Sequence, residues 1–257
     1  MSTVSVLPIK AFNDNYIWCL ADQDNCVVVD PGDAAPVLKH CKANNLTLTD
    51  ILITHHHWDH TGGITELLSA FPHINIYGPK NDKIAHITHY LTEGESIELV
   101  NLGISFQVIE VPGHTLDHIA YYGEIGLFCG DTLFSAGCGR LFEGSPKQMY
   151  NSLKKLSALP AQTAVYCTHE YTLANIKFAE QVEPKNKTLL NYKDWAESQR
   201  NKLKPTLPST IAQQLAINPF LRVEQGDVKR SAETHGGNAL SSPDETFATL
   251  RNWKDNF

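Results

Sequence analysis

The sequence predicts a layered α/β domain over residues 1–172 followed by a smaller, mostly helical domain over 173–257, and three observations carry that expectation. Apolar runs of strand length recur through the first two thirds of the chain, each closed by turn residues. Helical patterns separate only some of these runs, so a purely parallel sheet, which needs a crossover between every pair of strands, is excluded. Near Tyr171 the strand signal stops and Lys, Asn, Gln and Glu take over. A chain of 257 residues is long enough for one large domain with a helical appendage.

Taken in order, strands are expected at 16–20 and 26–30, where YIWCL and CVVVD are continuous apolar runs. The turn Pro31-Gly32-Asp33 then opens a helix over 34–45. A strand at 51–54 leads into a His-rich segment, and Gly62-Gly63 precedes a helix at 65–71. Further strands are expected at 75–78, 104–111, 118–122 and 125–130, and at 164–168 beyond a helix at 146–159 that starts on Pro146. The C-terminal helices fall at 173–182, 187–203 and 244–257. A faint internal echo links CVVVDPGD (26–33) with GLFCGDTL (126–133), both apolar strands that end in Asp.

Composition narrows the function. With 42% hydrophobic and 19% charged residues the chain is ordinary globular material, which excludes disorder, collagen-like repeats and coiled coil. The net charge of −7 disfavours a nucleic-acid partner. No run approaches the roughly 18 apolar residues of a membrane span, and the N-terminal segment lacks a basic start followed by an apolar core. A soluble, cytoplasmic protein with no signal peptide and no membrane partner is therefore expected. Cys19, Cys26, Cys41, Cys129, Cys138 and Cys167 include no C-x-x-C pair, so they are expected as reduced buried thiols.

Among twelve histidines, four fall with a carboxylate in the six residues His55-His56-His57-Trp58-Asp59-His60, directly after a strand. On an extended loop, His55 and His57 face one way while His56 and Trp58 face the other, and a turn after Trp58 brings Asp59 and His60 to a second position. Imidazole and carboxylate suit zinc, iron or manganese. An exposed His tract is the plainer alternative, but this one lies inside a strand–helix junction far from either terminus. His114, Asp131 and His169 each stand just past a strand end, and such ends converge on a crevice in layered α/β folds. Alone, each is a cap or turn residue. Together the seven donors are too many for one tetrahedral metal and suit two that share a bridge. His118 is expected as a supporting hydrogen bonder, and His40, His73, His86, His89 and His235 as surface residues.

On these motifs the chain resembles the metallo-β-lactamase fold superfamily, whose T-H-x-H-x-D-H signature matches residues 54–60, with Pro-Gly-His, Gly-Asp and His stations at 112–114, 130–131 and 168–169. Within it the chain is most similar to the glyoxalase II (hydroxyacylglutathione hydrolase) family, through residues 12–16 (FNDNY), the run 130–144 (GDTLFSAGCGRLFEG), His169-Glu170-Tyr171, residues 218–222 (NPFLR) and a closing Arg251-x-x-Lys254-Asp-x-Phe. The resemblance implies a four-layer αββα sandwich with a smaller helical C-terminal domain. It also implies two divalent metal ions per chain, zinc first with iron or manganese as alternatives. His55, His57 and His114 would hold one, Asp59, His60 and His169 the other, and Asp131 would bridge them, with Asp59 as the catalytic residue that orients a metal-bridging hydroxide. Substrate stations fall on Arg140, Leu141, Phe142, Tyr171, Arg251 and Lys254. The implied reaction hydrolyses S-(2-hydroxyacyl)glutathione, such as S-lactoylglutathione, to glutathione and a 2-hydroxy acid, the second step of methylglyoxal detoxification, in a monomer.

Two departures are visible. Asp117 stands where relatives commonly have Gly, beside His114 and His118, and Arg140-Leu141-Phe142 replaces a Lys-x-Tyr of some relatives, so a hydroxyl contact from the third residue is missing. The alternatives are a persulfide dioxygenase, which shares the histidine motif but uses a single iron, and a non-catalytic metal-binding protein.

Overall fold

A computed structural model describes residues 4–257; Met1–Thr3, the start of the segment in which no leader is expected, lie outside the described residues. The chain forms two compact units, one comprising residues up to Glu110 together with Asp117–Gly130, the other Val111–Leu116 with Asp131–Phe257.

The first unit begins with three antiparallel strands, β1 (Ser5–Ala11), β2 (Asn15–Ala21) and β3 (Asn25–Val29). β3 then continues in parallel into β4 (Thr47–Leu52), β5 (Asn75–Pro79) and β6 (His89–Leu91). Parallel neighbours need crossovers: α1 (Ala34–Asn44) supplies that between β3 and β4, α2 (Trp58–Thr61) with α3 (Ile64–Ala70) that between β4 and β5, and β5 reaches β6 through the turns of residues 80–88. Asp33 caps α1 by accepting from the Ala35 amide at 3.0 Å, as the Pro-Gly-Asp turn requires. Ile17, Cys19, Val28, Val37, Ile51 and Leu67 meet in one buried cluster. β1 was not expected from the sequence, because Pro8 cannot donate to a ladder; it is tolerated because β1 is the edge strand, paired on one side only.

The same unit also contains an antiparallel meander of β7 (Ser96–Leu99), β8 (Ile104–Glu110), β9 (Ile119–Gly123) and β10 (Gly126–Gly130). In β8, Phe106 and Val108 are buried and alternate with more exposed neighbours, the period that the sequence displays, and Phe106 packs edge-to-face on Phe128 at 5.7 Å.

The second unit carries a hairpin of β11 (Leu133–Phe134) and β12 (Gly137–Cys138), then α4 (Pro146–Ser157), β13 (Ala164–Cys167), α5 (Thr172–Val182), α6 (Lys187–Asn201), β14 (Ser209–Thr210), α7 (Ile211–Ile217), α8 (Gly226–Gly236) and α9 (Pro243–Asp255). Ser145 and Gln148 form a capping box at the start of α4, on either side of Pro146. The expectation that strands end near Tyr171 needs correction: β14 pairs antiparallel with β13, Ala164 opposite Thr210, but two residues leave no periodic signal. α7 and α8 were likewise missed, the latter because only Val228 and Ala232 of its eleven residues are buried. Ile176, Ala179, Leu189, Ala196 and Ile217 form the helical core.

Candidate functional site

In the first unit, β4 delivers the chain into residues 53–57, and α2 starts at Trp58, so the expected turn is a single helical turn. His57 occupies its N-cap position, and Asp59 and His60 lie on it. His55 Nε2 and His57 Nδ1 face each other at 3.1 Å, while His60 Nε2 lies 3.6 Å from Asp59 Oδ2. His56 turns instead to Asp117, with Nδ1 at 2.9 Å from its Oδ1, and Asn81 donates to the other carboxylate oxygen at 2.8 Å. The unusual carboxylate at position 117 is thus engaged by the outward-facing histidine. Trp58 is 68% exposed, against the ring of Phe12.

Asp30 organises these donors, a role the sequence did not disclose. Its carboxylate accepts from the Thr54 amide and the Thr54 hydroxyl, both at 2.8 Å, and from His60 Nδ1 at 3.0 Å. Because the Thr54 hydroxyl proton is committed to Asp30, His55 Nδ1 must donate to Thr54 Oγ1, 3.0 Å away. One buried carboxylate therefore sets two tautomers, with the proton on Nδ1 and the lone pair on Nε2 in both His55 and His60. Asp30 itself sits in the left-handed region, φ 54°, a conformation that its three hydrogen bonds hold in place. Gly32 follows because a side chain there would meet the Asp59 carbonyl: an added Cβ would lie 1.8 Å from it. Asn15 donates to Asp59 Oδ2 at 3.0 Å and fixes that carboxylate. His118 stacks on His55 with centroids 4.6 Å apart and donates through Nδ1 to the Ile119 carbonyl, the supporting role expected of it.

The second unit brings His114, Asp131 and His169 together. Asp131 Oδ2 lies 3.5 Å from His114 Nε2 and 3.3 Å from His169 Nε2, so one oxygen serves both rings. His114 Nδ1 donates to the Arg140 carbonyl at 2.9 Å, which puts the ring proton on Nδ1 and the lone pair on Nε2, the atom that faces Asp131. The His169 ring is stacked on Tyr171, centroids 4.7 Å apart and nearly parallel, with Phe134 edge-on to both.

These separations test the fit to a metal. Bonds of 2.0–2.2 Å at tetrahedral angles place two ligand atoms about 3.3–3.6 Å apart. The donor pairs within each unit lie at 3.1–3.6 Å, and the donor atoms are imidazole nitrogen and carboxylate oxygen. The residues fit divalent metal ions.

The substrate stations divide by environment. Arg140 and Phe142 are exposed, Leu141 is half-buried and Tyr171 lies at the surface; Arg140 pairs loosely with Asp255 at 3.7 Å, and the Phe142 ring meets His114 edge-on at 5.2 Å. Arg251 and Lys254 share one face of α9, but that face packs inward. Arg251, 3% exposed, donates to the Cys138 carbonyl at 3.0 Å and to Asp255 at 2.8 Å. Lys254 Nζ donates to Asn175 Oδ1 and lies over the rings of Phe178 and Phe220. Burial, with the neighbouring Arg251 charge next in weight, pushes the Lys254 ammonium down to about 7.

Among the described residues no helix is long and apolar enough to cross a membrane. Residues 13–169 match the family model of the metallo-beta-lactamase superfamily and residues 170–257 that of the hydroxyacylglutathione hydrolase C-terminus. The chain is 50% identical to a hydroxyacylglutathione hydrolase of Nitrosomonas eutropha, over 99% of both chains. It is 53% identical to one of Aeromonas hydrophila, over 98% of this chain and 99% of the relative. The crystal structure of ETHE1 from Myxococcus xanthus superposes with a TM-score of 0.65 at 23% identity, covering 98% of each chain, a likeness of fold. The chain thus has the metallo-β-lactamase fold, with sheets flanked by helices and a helical C-terminal region, and it belongs to the hydroxyacylglutathione hydrolase family.

Proposed function

We propose that the chain hydrolyses S-(2-hydroxyacyl)glutathione thioesters, such as S-lactoylglutathione, to glutathione and a 2-hydroxy acid at a centre of two divalent ions. His55, His57 and His114 are assigned to one ion, Asp59, His60 and His169 to the other, and Asp131 to both. The observation that carries this assignment is the ligand-like spacing of the donor atoms, 3.1–3.6 Å in each unit, with Asp131 Oδ2 serving two histidines. Bound there, such ions would lower the pKa of a water toward neutrality and polarise the thioester carbonyl. The chain's own residues do the rest. Asp30 and Thr54 hold the His55 and His60 rings in the ligating tautomer, and Asn15 orients Asp59, the residue assigned to aim the nucleophile. Zinc suits the imidazole-rich donor set, with iron or manganese as alternatives, and a cytoplasmic monomer acting in methylglyoxal detoxification completes the proposal.

Replacement of His56 by alanine is expected to leave metal content unchanged, whereas His57→Ala loses metal; atomic absorption on the two purified variants decides. Equal metal content in both would overturn the division of the loop into inward and outward histidines.

For the glutathione moiety, Arg140 offers an exposed guanidinium and Phe142 and Tyr171 apolar surface, while Arg251 braces the Cys138 and Gly139 carbonyls just ahead of Arg140. Lys254 is assigned to the substrate's carboxylate. With its ammonium held near 7, the free enzyme carries that charge below about pH 7 and loses it above. Arg251, Arg140, Cys138 and Asp255 surround it, the arginines lowering its pKa and the other two raising it. KM is therefore expected to climb as pH rises through 7, with kcat following a separate profile. In Lys254→Met, KM should be raised by roughly tenfold at pH 6.5, about 1.4 kcal/mol, and stay flat with pH. A wild-type KM independent of pH between 6 and 9 would remove Lys254 from substrate binding.

Two rival activities have direct tests. Oxygen consumption with glutathione persulfide would signal a single-iron dioxygenase, and tight metal binding without thioester hydrolysis a non-catalytic protein.

A further inference from the structure

Three buried thiols in the first unit take no part in the site described above. Cys19 lies on β2, Cys26 on β3 and Cys41 in the last turn of α1. Cys26 Sγ and Cys41 Sγ are 3.6 Å apart, although the residues are fifteen positions apart in sequence. A disulfide needs about 2.05 Å, so a closure of about 1.5 Å by a helix end would join them. Cys41 is also one wall of a surface hollow of about 570 Å³, lined with it by Asp24, Leu38, Lys42, Leu46 and Phe71. Cys41 is 3% exposed, whereas Cys26 is fully buried.

The thiols are not equivalent. The Cys26 and Cys41 sulfurs share a hydrogen bond in which either can donate, and that bond holds Cys41 below the ordinary thiol range. Hydrogen bonds to Cys19 and Cys41, followed by burial, push Cys26 well above it. The nucleophile is Cys41, the one of the pair that lines the hollow.

We propose that Cys41 and Cys26 form a peroxide-sensitive dithiol. The Cys41 thiolate attacks one oxygen of a hydroperoxide, the O–O bond breaks, hydroxide or alkoxide leaves, and Cys41 becomes a sulfenic acid. The Cys26 sulfur then attacks the Cys41 sulfur, the S–O bond breaks, and the Cys26 proton leaves with the hydroxide as water. Two thiols and hydrogen peroxide thus yield one disulfide and two waters. A small oxidant is specified because only 3% of Cys41 is accessible, and in-line approach of a bulky disulfide such as oxidised glutathione would need α1 to unwind. The new bond would tie α1 to β3 around the segment that carries Asp30 and Gly32. It restrains the unfolded chain, so the oxidised protein should melt at a higher temperature.

The test uses the full chain with its metals, treated with a small excess of hydrogen peroxide, quenched, alkylated after unfolding and mapped by mass spectrometry under non-reducing conditions. The expected product is a Cys26–Cys41 linked peptide pair in a monomeric protein, with Cys19, Cys129, Cys138 and Cys167 all alkylated, and a raised melting temperature reversed by reductant. In Cys26→Ser, Cys41 should instead accumulate as a sulfenic acid trapped by dimedone. In Cys41→Ser, Cys26 should stay reduced. A Cys19–Cys26 link, an intermolecular disulfide, or six alkylated thiols after peroxide would each overturn the proposal, and the wild-type map decides even where a variant fails to fold. None of these readouts depends on thioester hydrolysis.

Discussion

Asp131→Ala is expected to lower kcat/KM for a 2-hydroxyacylglutathione by on the order of a thousandfold, about 4 kcal/mol of transition-state stabilisation. One oxygen of this carboxylate lies within 3.5 Å of His114 Nε2 and 3.3 Å of His169 Nε2, so its removal takes a shared partner from both rings at once. Metal content should fall with the rate, because what is lost is a shared donor. His118→Ala provides the contrast. That ring stacks on His55 and donates to a backbone carbonyl, so its loss should cost much less activity and leave the metal in place. Steady-state kinetics and metal analysis on both variants check the pair. Equal, mild losses would reduce Asp131 to a residue that shapes a turn.

The second large effect is expected at Asp30, which touches no substrate. Its carboxylate accepts three hydrogen bonds, one of them directly from His60, and through Thr54 it fixes the proton of His55; both histidines are assigned to the proposed ions. In Asp30→Asn an amide replaces one accepting oxygen by a donor, so either the Thr54 amide, bonded to Oδ1, loses its acceptor or the Thr54 hydroxyl and His60 Nδ1, which share Oδ2, both do. Loss of such an outer partner typically costs about 10–100-fold in metal affinity or activity. Asp30 is also 2% exposed and stands in a left-handed conformation, so about 1–3 kcal/mol of stability should go with the unsatisfied group. Chelator competition and thermal melts measure the two losses separately. A variant that melts lower but holds metal as tightly would confine Asp30 to a structural role.

The sequence made the donors legible and left their support hidden. Residues 54–60 announce themselves because no core can pack four histidines and a carboxylate in so short a span. Asp30 ends an apolar strand as many turn aspartates do, and its partners lie 24 and 30 positions away, so only the folded chain shows what it holds. The same limit applies to α9. The spacing of Arg251 and Lys254 puts them on one face, but whether that face meets solvent or core depends on where Phe178 and Phe220 lie, far away in sequence. Within the fold, long apolar runs such as β2 and β3 were plain. Pro8 disguised β1, since the sequence does not say which strand is an edge, and β14 was too short to show a period.

The central claim, that two divalent ions held by these seven side chains drive thioester hydrolysis, is tested most directly by titrating metal-depleted protein with zinc while recording bound metal per chain and the rate on S-lactoylglutathione. The account predicts two equivalents bound, with full activity reached only as the second is filled. Full thioesterase activity at a single equivalent, with no further change on adding more, would contradict it.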